Sequence, residues 1–407
     1  MSVSEGVARI REQIIEAAAL PLSQAITTTP AAYVDEAYFR YEAETILEAG
    51  WMCVAHVSQL KTRGSYVAID LLDEPILVIH GSDGAIRALS RVCAHRAMDI
   101  MPEADAYPRS GTTPLLMCPY HHWTYTLDGR VKGCPEMHRA DGFRKSDWRL
   151  AEFRCEVWQG FVFVNLDGTA GPLAEQYADF ATLIAPWRTQ EMEIVISMEW
   201  DCPFNWKVMI ENWMESYHHM GIHNATLNTI MPAQGTWAEP EHPYFAHCHL
   251  PYASDPSNEI READEAGRPL PGFRPIPGLS FEQKTEWGLY LGYPCFMFLT
   301  TRDRVIWYRL QPVSAGRCKL LTTTLVSKES LPAPDLAETI ARETKMLRDF
   351  HVEDMTVNAA VQRGLRARKA ARGRLSHLEE PVWLIQRFLA ARAQGTYPNR
   401  STQLRRT

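Results

Sequence analysis

The sequence predicts an α+β chain in three parts: N-terminal helices, an all-β module, and a mixed region in which antiparallel strands precede a long helix. Three observations carry this reading. Apolar residues recur at helical spacing near the start, short β-branched and aromatic runs fill residues 51–166, and a long helical stretch runs through 334–365.

In order, Val7, Ile10, Ile14, Ile15 and Ala18 form one helical stripe over residues 3–19, which Pro21 stops. A second helix is expected over 36–49, with Gly50 as its C-terminal cap. Runs at 66–69, 76–79 and 161–164 read as strands, separated by turn residues at 81–84 and 127–129. A loop at 167–172 is the exit from this module. Beyond it, 193–200 alternates like a strand and 205–220 reads as a helix. Residues 231–278 are crowded with proline, glycine and polar residues, which predicts a lid or a mobile loop. Strands return at 288–300, 305–311 and 319–327, and helices follow at 334–365 and 380–391. The expected units are 1–45, 46–166 and 167–407.

Apolar and charged fractions of 46% and 22% are those of an ordinary globular protein. A net charge of -7, with no long basic run, argues against nucleic acid as the main partner. No stretch reaches the roughly 18 uninterrupted apolar residues of a membrane helix. Glu5, Arg9, Arg11 and Glu12 break up the hydrophobic N-terminus, unlike a signal peptide. The expected location is therefore cytoplasmic. Nine scattered cysteines in a reducing compartment predict mostly free thiols, with metal ligation to be sought among clustered ones.

Two clusters stand out. Cys93-Ala-His95-Arg96 and Cys118-Pro-Tyr-His121-His-Trp123 lie in the β module, separated by 22 residues. Two thiolates and two imidazoles can hold a tetrahedral zinc, or a two-iron cluster with both histidines on one iron. A one-residue gap in the first pair is unlike a zinc-finger knuckle. In the later region, Glu215, His218 and His223 form Glu-x-x-His-x-x-x-x-His. Glu215 and His218 share a helical face, and Gly221 provides a break that could swing His223 back beside His218. Two imidazoles and one carboxylate make the three-ligand face that holds ferrous iron with positions left open.

With both motifs, in this order and at this distance, the sequence resembles the large (alpha, terminal oxygenase) subunit of Rieske non-haem iron oxygenases from about Tyr38 to the C-terminal helix. The resemblance implies an all-β Rieske domain followed by a helix-grip catalytic domain. It implies a 2Fe-2S cluster with Cys93 and Cys118 on one iron and His95 and His121 on the other. It also implies a mononuclear Fe(II) held by His218, His223 and a carboxylate in the segment Phe350-His-Val-Glu-Asp-Met, where Asp354 fits better than Glu353. Glu215 becomes the acid that bridges the two centres between subunits, and Asn212 a weaker neighbour of the iron ligands. Two departures are visible: His122 stands where the family usually has glycine, and the gap between the cluster pairs is a few residues long. Spacing favours His121 over His122, and His218 over His219, as ligands.

The resemblance further implies a homotrimer or related oligomer. Its partners are dioxygen and a ferredoxin or flavoprotein reductase, through which NAD(P)H acts indirectly. The expected reaction is hydroxylation, dihydroxylation or demethylation of a small organic, mainly aromatic, substrate, as in aromatic hydrocarbon catabolism. The alternative is a choline-like or betaine-like quaternary ammonium substrate held by cation-π contacts. Two or three of Trp237, Tyr244, Phe245, Trp287, Tyr290, Tyr293, Phe296, Phe298 and Trp307 are expected to line its pocket. A remote reading is a zinc-stabilised binding protein built on the Cys and His pairs.

Overall fold

The computed structural model describes residues 4–253 and 272–398. An amphipathic helix, Glu5–Ala18, is capped by Ser4 and buries Val7, Ile10 and Ile14. Helix Glu36–Glu42 starts at the Asp35 cap and runs into a π-helical turn, Ala43–Leu47. Gly50 is not the left-handed cap expected from the sequence. A Cβ there would lie 2.7 Å from the Ile46 carbonyl oxygen and 3.0 Å from the Pro294 ring, so close approach demands glycine.

The β module contains β1 (Met52–His56), β2 (Ser65–Leu71), β3 (Glu74–His80), β4 (Ile86–Ser90), β5 (Ser110–Thr112), β6 (Leu116–Met117), β7 (Thr124–Tyr125), β8 (Val131–Gly133), β9 (Glu152–Trp158) and β10 (Phe161–Asn165). Seven form one antiparallel sheet in the order β1-β10-β9-β4-β3-β2-β5, and β6-β7-β8 form a small second sheet. The cluster motifs lie in the loops that leave β4 and β6.

The later region forms a seven-stranded antiparallel sheet. Its strands are β11 (Glu193–Cys202), β12 (Trp237–Ala238), β13 (Phe245–Pro251), β14 (Glu286–Gly292), β15 (Phe296–Thr300), β16 (Val305–Ser314) and β17 (Arg317–Val326), in the order β11-β17-β16-β15-β14-β13-β12. β12 and β13 fall inside the segment expected to be a lid or mobile loop, and residues 254–271 of that segment lie outside the described residues. The expected strand over 288–300 is two strands paired in a hairpin. One face of the sheet holds the 30-residue helix Leu336–Leu365 and helix Glu380–Gln394.

The core on that face also includes Ile10 and Ile14 of the first helix, Val67 and Ile69 of β2, and Leu347 and Phe350 of the long helix. The sequence units therefore share one hydrophobic interior. An ion pair with both side chains fully buried, Lys207 Nζ to Glu42 Oε2 at 2.7 Å, ties the N-terminal helices to the helix that precedes the histidines. A second core, on the opposite face, is largely aromatic and includes Trp158, Phe161, Phe180, Tyr290, Phe296 and Trp307.

Candidate metal centres

The cluster loops follow one backbone plan. The Cys93 carbonyl accepts from Ala97 N–H and the Cys93 N–H donates to Met98. Likewise the Cys118 carbonyl accepts from His122 N–H and the Cys118 N–H donates to Trp123. Each is a one-turn α-turn closed by a residue in the left-handed region: Ala97 at φ 54° and His122 at φ 56°. Glycine takes that conformation without strain, which accounts for a preference for glycine at the position His122 occupies. His122 thus closes the turn, and its exposed ring projects from the loop.

Within these turns the donors sort into pairs. Cys93 and Cys118 are buried, and burial followed by the neighbouring Cys93 thiol raises the pKa of Cys118. Crowding two thiols in this way is unfavourable until a cation takes their charge. His95 and His121 lie toward solvent with ring centroids 4.7 Å apart. Burial, then the charges of His121 and Arg96, hold His95 below its ordinary pKa, as a neutral ligand requires. Two thiols behind two imidazoles match a cluster with each pair on its own iron. His95 stacks on Trp123 at 4.9 Å. The Tyr125 hydroxyl accepts from Ala94 N–H and is hydrogen-bonded with Cys93 Sγ at 3.0 Å. Buried Arg91 braces the first loop by bonding Asp70, Asp99 and the Ile69 carbonyl.

The second centre begins at Asn205, whose side chain caps helix Trp206–Met214 by accepting from Lys207 N–H. The sequence reading continued this helix to residue 220. Instead it stops at Met214: Glu215 is extended (φ -112°, ψ 155°) and a 3-10 turn covers Tyr217–Met220. Glu215 itself explains the break. Its Oε2 accepts from His218 N–H at 3.1 Å and its Oε1 bonds His218 Nδ1 at 2.6 Å, satisfying the first donor of the new turn.

His218, His223 and Asp354 converge, with one ligand atom from each within 4.8 Å of the others. Asp354 Oδ1 is 3.6 Å from His218 Nε2 and 2.9 Å from His223 Nε2. Such spacings suit a cation bound at about 2.1 Å by each donor. Both outer nitrogens are held by carboxylates: His218 Nδ1 by Glu215, and His223 Nδ1 by Glu353 Oε2 at 2.6 Å. This leaves both Nε2 atoms facing Asp354. Burial opposes ionisation of Asp354, but the His223 hydrogen bond and the charges of His218 and His223 bring its pKa below the ordinary value.

Helical register separates the two acids. Leu347, His351, Asn358 and Gln362 mark the buried stripe of the long helix, and Asp354 continues it while Glu353 lies one residue aside. Glu353 therefore reaches the far side of His223, a role the sequence reading missed. His219 is buried beside them but outside the converging set, with Nδ1 3.2 Å from the Met231 carbonyl. Burial, then His218, pushes its pKa down to about 4. Asn212 faces the cavity and accepts from Asn358 Nδ2 at 3.2 Å.

A small cavity adjoins these ligands, walled by Trp213, Trp287, Tyr308, Phe350 and aliphatic residues including Leu250 and Ile306. Of the nine aromatics among which two or three are expected to line it, only Trp287 does so. Strand alternation sends Phe245, Tyr290, Phe296, Phe298 and Trp307 into the opposite core. Tyr244 packs against that core, Tyr293 packs on Phe388, and Trp237 is exposed at the sheet edge. Trp213 and Tyr308 take their place, 4.0 Å apart between ring centroids. Among the described residues, the buried Trp213 indole N–H has no hydrogen-bond partner.

The family profile described as "Ring hydroxylating alpha subunit (catalytic domain)" matches residues 189–395, about half of the chain, and the "Rieske [2Fe-2S] domain" profile matches residues 50–154. The chain belongs to the ring-hydroxylating Rieske oxygenase alpha-subunit family. It contains the Rieske 2Fe-2S domain and the mononuclear-iron catalytic domain of that family. Among curated relatives, the carnitine monooxygenase oxygenase subunit of Acinetobacter pittii (strain PHEA-2) is 30% identical over 188 residues, 46% of this chain and 49% of the relative. The chain thus spans about half the length of the curated relatives it matches. A solved quaternary ammonium Rieske monooxygenase aligns at TM-score 0.77 and 25% identity, covering 93% of this chain and 98% of that one. Naphthalene 1,2-dioxygenase from Rhodococcus sp. aligns at TM-score 0.77 and 19% identity over 97% and 99% of the two chains, a likeness of fold alone. These similarities do not support the expected role in aromatic hydrocarbon catabolism. Among the described residues, no helix is long and apolar enough to cross a membrane.

Proposed function

We propose that this chain is the terminal oxygenase component of a Rieske oxygenase system that oxidises a small quaternary ammonium compound. The observation that carries the substrate class is the cavity beside His218, His223 and Asp354, whose lining includes the electron-rich rings of Trp213, Trp287 and Tyr308. Such rings attract a cation whose methyl groups offer no hydrogen bonds. The likeness to a carnitine-oxidising relative supports the same class.

In this reading Cys93, His95, Cys118 and His121 hold the 2Fe-2S cluster, and His218, His223 and Asp354 hold the mononuclear iron. The cluster supplies electrons, and the iron supplies dioxygen activation beside the substrate. Glu215 and Glu353 fix the rings of His218 and His223 by accepting their Nδ1 protons, which keeps both Nε2 lone pairs aimed inward. The aromatic wall positions the substrate and excludes water. Glu215 also bridges to a cluster histidine of a neighbouring subunit in a trimer, and a ferredoxin or flavoprotein reductase delivers electrons drawn from NAD(P)H. The working units are residues 1–45, 46–166 and 167–407, in a cytoplasmic protein.

The test is oxygen consumption and product release by purified, iron-loaded protein with an electron-donating reductase. L-carnitine, γ-butyrobetaine and glycine betaine are compared with benzoate, biphenyl and naphthalene. Coupled turnover confined to quaternary ammonium compounds is expected, and turnover confined to the aromatic panel would replace this reading with the aromatic one.

A further inference from the structure

Strands β12 and β13 pair at the outer edge of the catalytic sheet, with Trp237 opposite His249. Alternation divides the side chains of β13 between two faces. Ala246, Cys248 and Leu250 join the core beside the His218 centre, whereas Phe245 joins the aromatic core behind it. His247 and His249 lie on this second face, where His247 stacks on Tyr290 at 4.1 Å.

There Glu239, His247 and His249 each present a ligand atom, all within 4.8 Å of one another. His247 is 5% exposed, and among the described residues neither of its ring nitrogens has a hydrogen-bond partner. An imidazole buried this deeply ordinarily has at least one partner, so His247 calls for one. His249 is oriented from both sides. Its Nδ1 is 2.8 Å from Glu286 Oε1, its Nε2 is 3.3 Å from Glu239 Oε1, and Trp237 stacks on its ring at 3.8 Å. A histidine whose outer nitrogen is held by one carboxylate while the inner nitrogen faces another donor has the arrangement of a metal-ligating histidine.

We propose that Glu239, His247 and His249 form a second, structural site for a divalent cation of the zinc type, on the opposite face of the sheet from the His218 centre. Two imidazoles and one carboxylate suit such a borderline cation. The cation takes the lone pair that His247 leaves unused and draws His249 and Glu239 together. Glu286 continues to hold the Nδ1 proton of His249. The effect is to fasten the two-residue edge strand β12 to β13.

The experiment titrates the iron-loaded and cluster-loaded protein with zinc chloride by calorimetry, and locates zinc in crystals by anomalous scattering at its absorption edge. Expected are one zinc per chain beyond the iron centre and an anomalous peak between His247 and His249. Glu239→Gln, at a partly exposed position that does not threaten the fold, weakens binding by roughly 10-fold or more, and His247→Phe removes it. The same zinc binding persists in a His223→Ala background, which separates it from exchange at the iron centre. Absence of zinc from the loaded protein would overturn the proposal, as would equal affinity in wild type, Glu239→Gln and His247→Phe, or an anomalous peak only beside His218 and His223.

Discussion

At the cluster loops all four donors fall within residues 93–121, on two turns with the same backbone plan. At the catalytic centre, His223 and Asp354 lie 131 positions apart and meet only because the sheet holds the long helix against the 3-10 turn. The first set is local: once each turn closes, its donors are nearly in place. The second depends on tertiary packing, down to the buried Lys207–Glu42 pair and the Asn205 cap. The cluster loops should therefore tolerate damage to the core better than the catalytic centre does.

The sharpest way to break that comparison is at Glu215, the residue proposed to serve both centres. Assayed with iron in excess, Glu215→Ala is expected to retain the cluster spectrum and the iron, its affinity lowered about 10-fold through His218, while turnover falls by about 100-fold, the upper range for loss of an outer partner. Full turnover with normal iron content would remove the bridging role. Glu353→Gln probes one centre only: iron affinity should weaken by about 10-fold, read by equilibrium dialysis, with the cluster absorbance unchanged. At the other centre, Tyr125→Phe removes the hydrogen bond to Cys93 Sγ. The cluster potential should drop by roughly 60 mV, the one-electron equivalent of ~1.4 kcal/mol, measured by redox titration.

A smaller effect lies at the seam between the two sheets. His56, fully buried at the end of β1, places its Nε2 3.1 Å from the Thr189 carbonyl, and burial pushes its pKa down to about 4. The unfolded chain takes up this proton first, near pH ~6.5. The stability is thus complete above that pH and falls by up to ~1.4 kcal/mol per unit toward pH 4. Urea midpoints at pH 7 and pH 5 should differ less in His56→Gln than in the wild type.

The same contrast governs how much could be read from the chain alone. The paired Cys and His motifs carry their spacing in the sequence, and the antiparallel strands and long helix carry theirs in periodicity. Asp354, unlike Glu353, lies on the helical stripe that runs through Leu347, His351 and Asn358. What failed depended on side-chain contacts or on which face of a strand turned inward. The helix over 205–220 ended early because the Glu215 carboxylate competes for the His218 N–H. The expected aromatic pocket largely fell on the wrong face of the sheet, since alternation does not say which face holds the long helix. Trp213 and Tyr308, on a helix and a separate strand, had no pattern linking them. His247 and His249, two apart on one strand, did carry a signal: period two places both on one face.

Metal content and visible spectra of Cys93→Ser and Asp354→Ala test the central claim, that two independently held iron centres make one oxygenase. Cys93→Ser should lose the cluster absorbance and both cluster irons while retaining the mononuclear iron. Asp354→Ala should do the reverse, and neither should turn over substrate. An Asp354→Ala protein with full iron content and normal turnover would contradict the account.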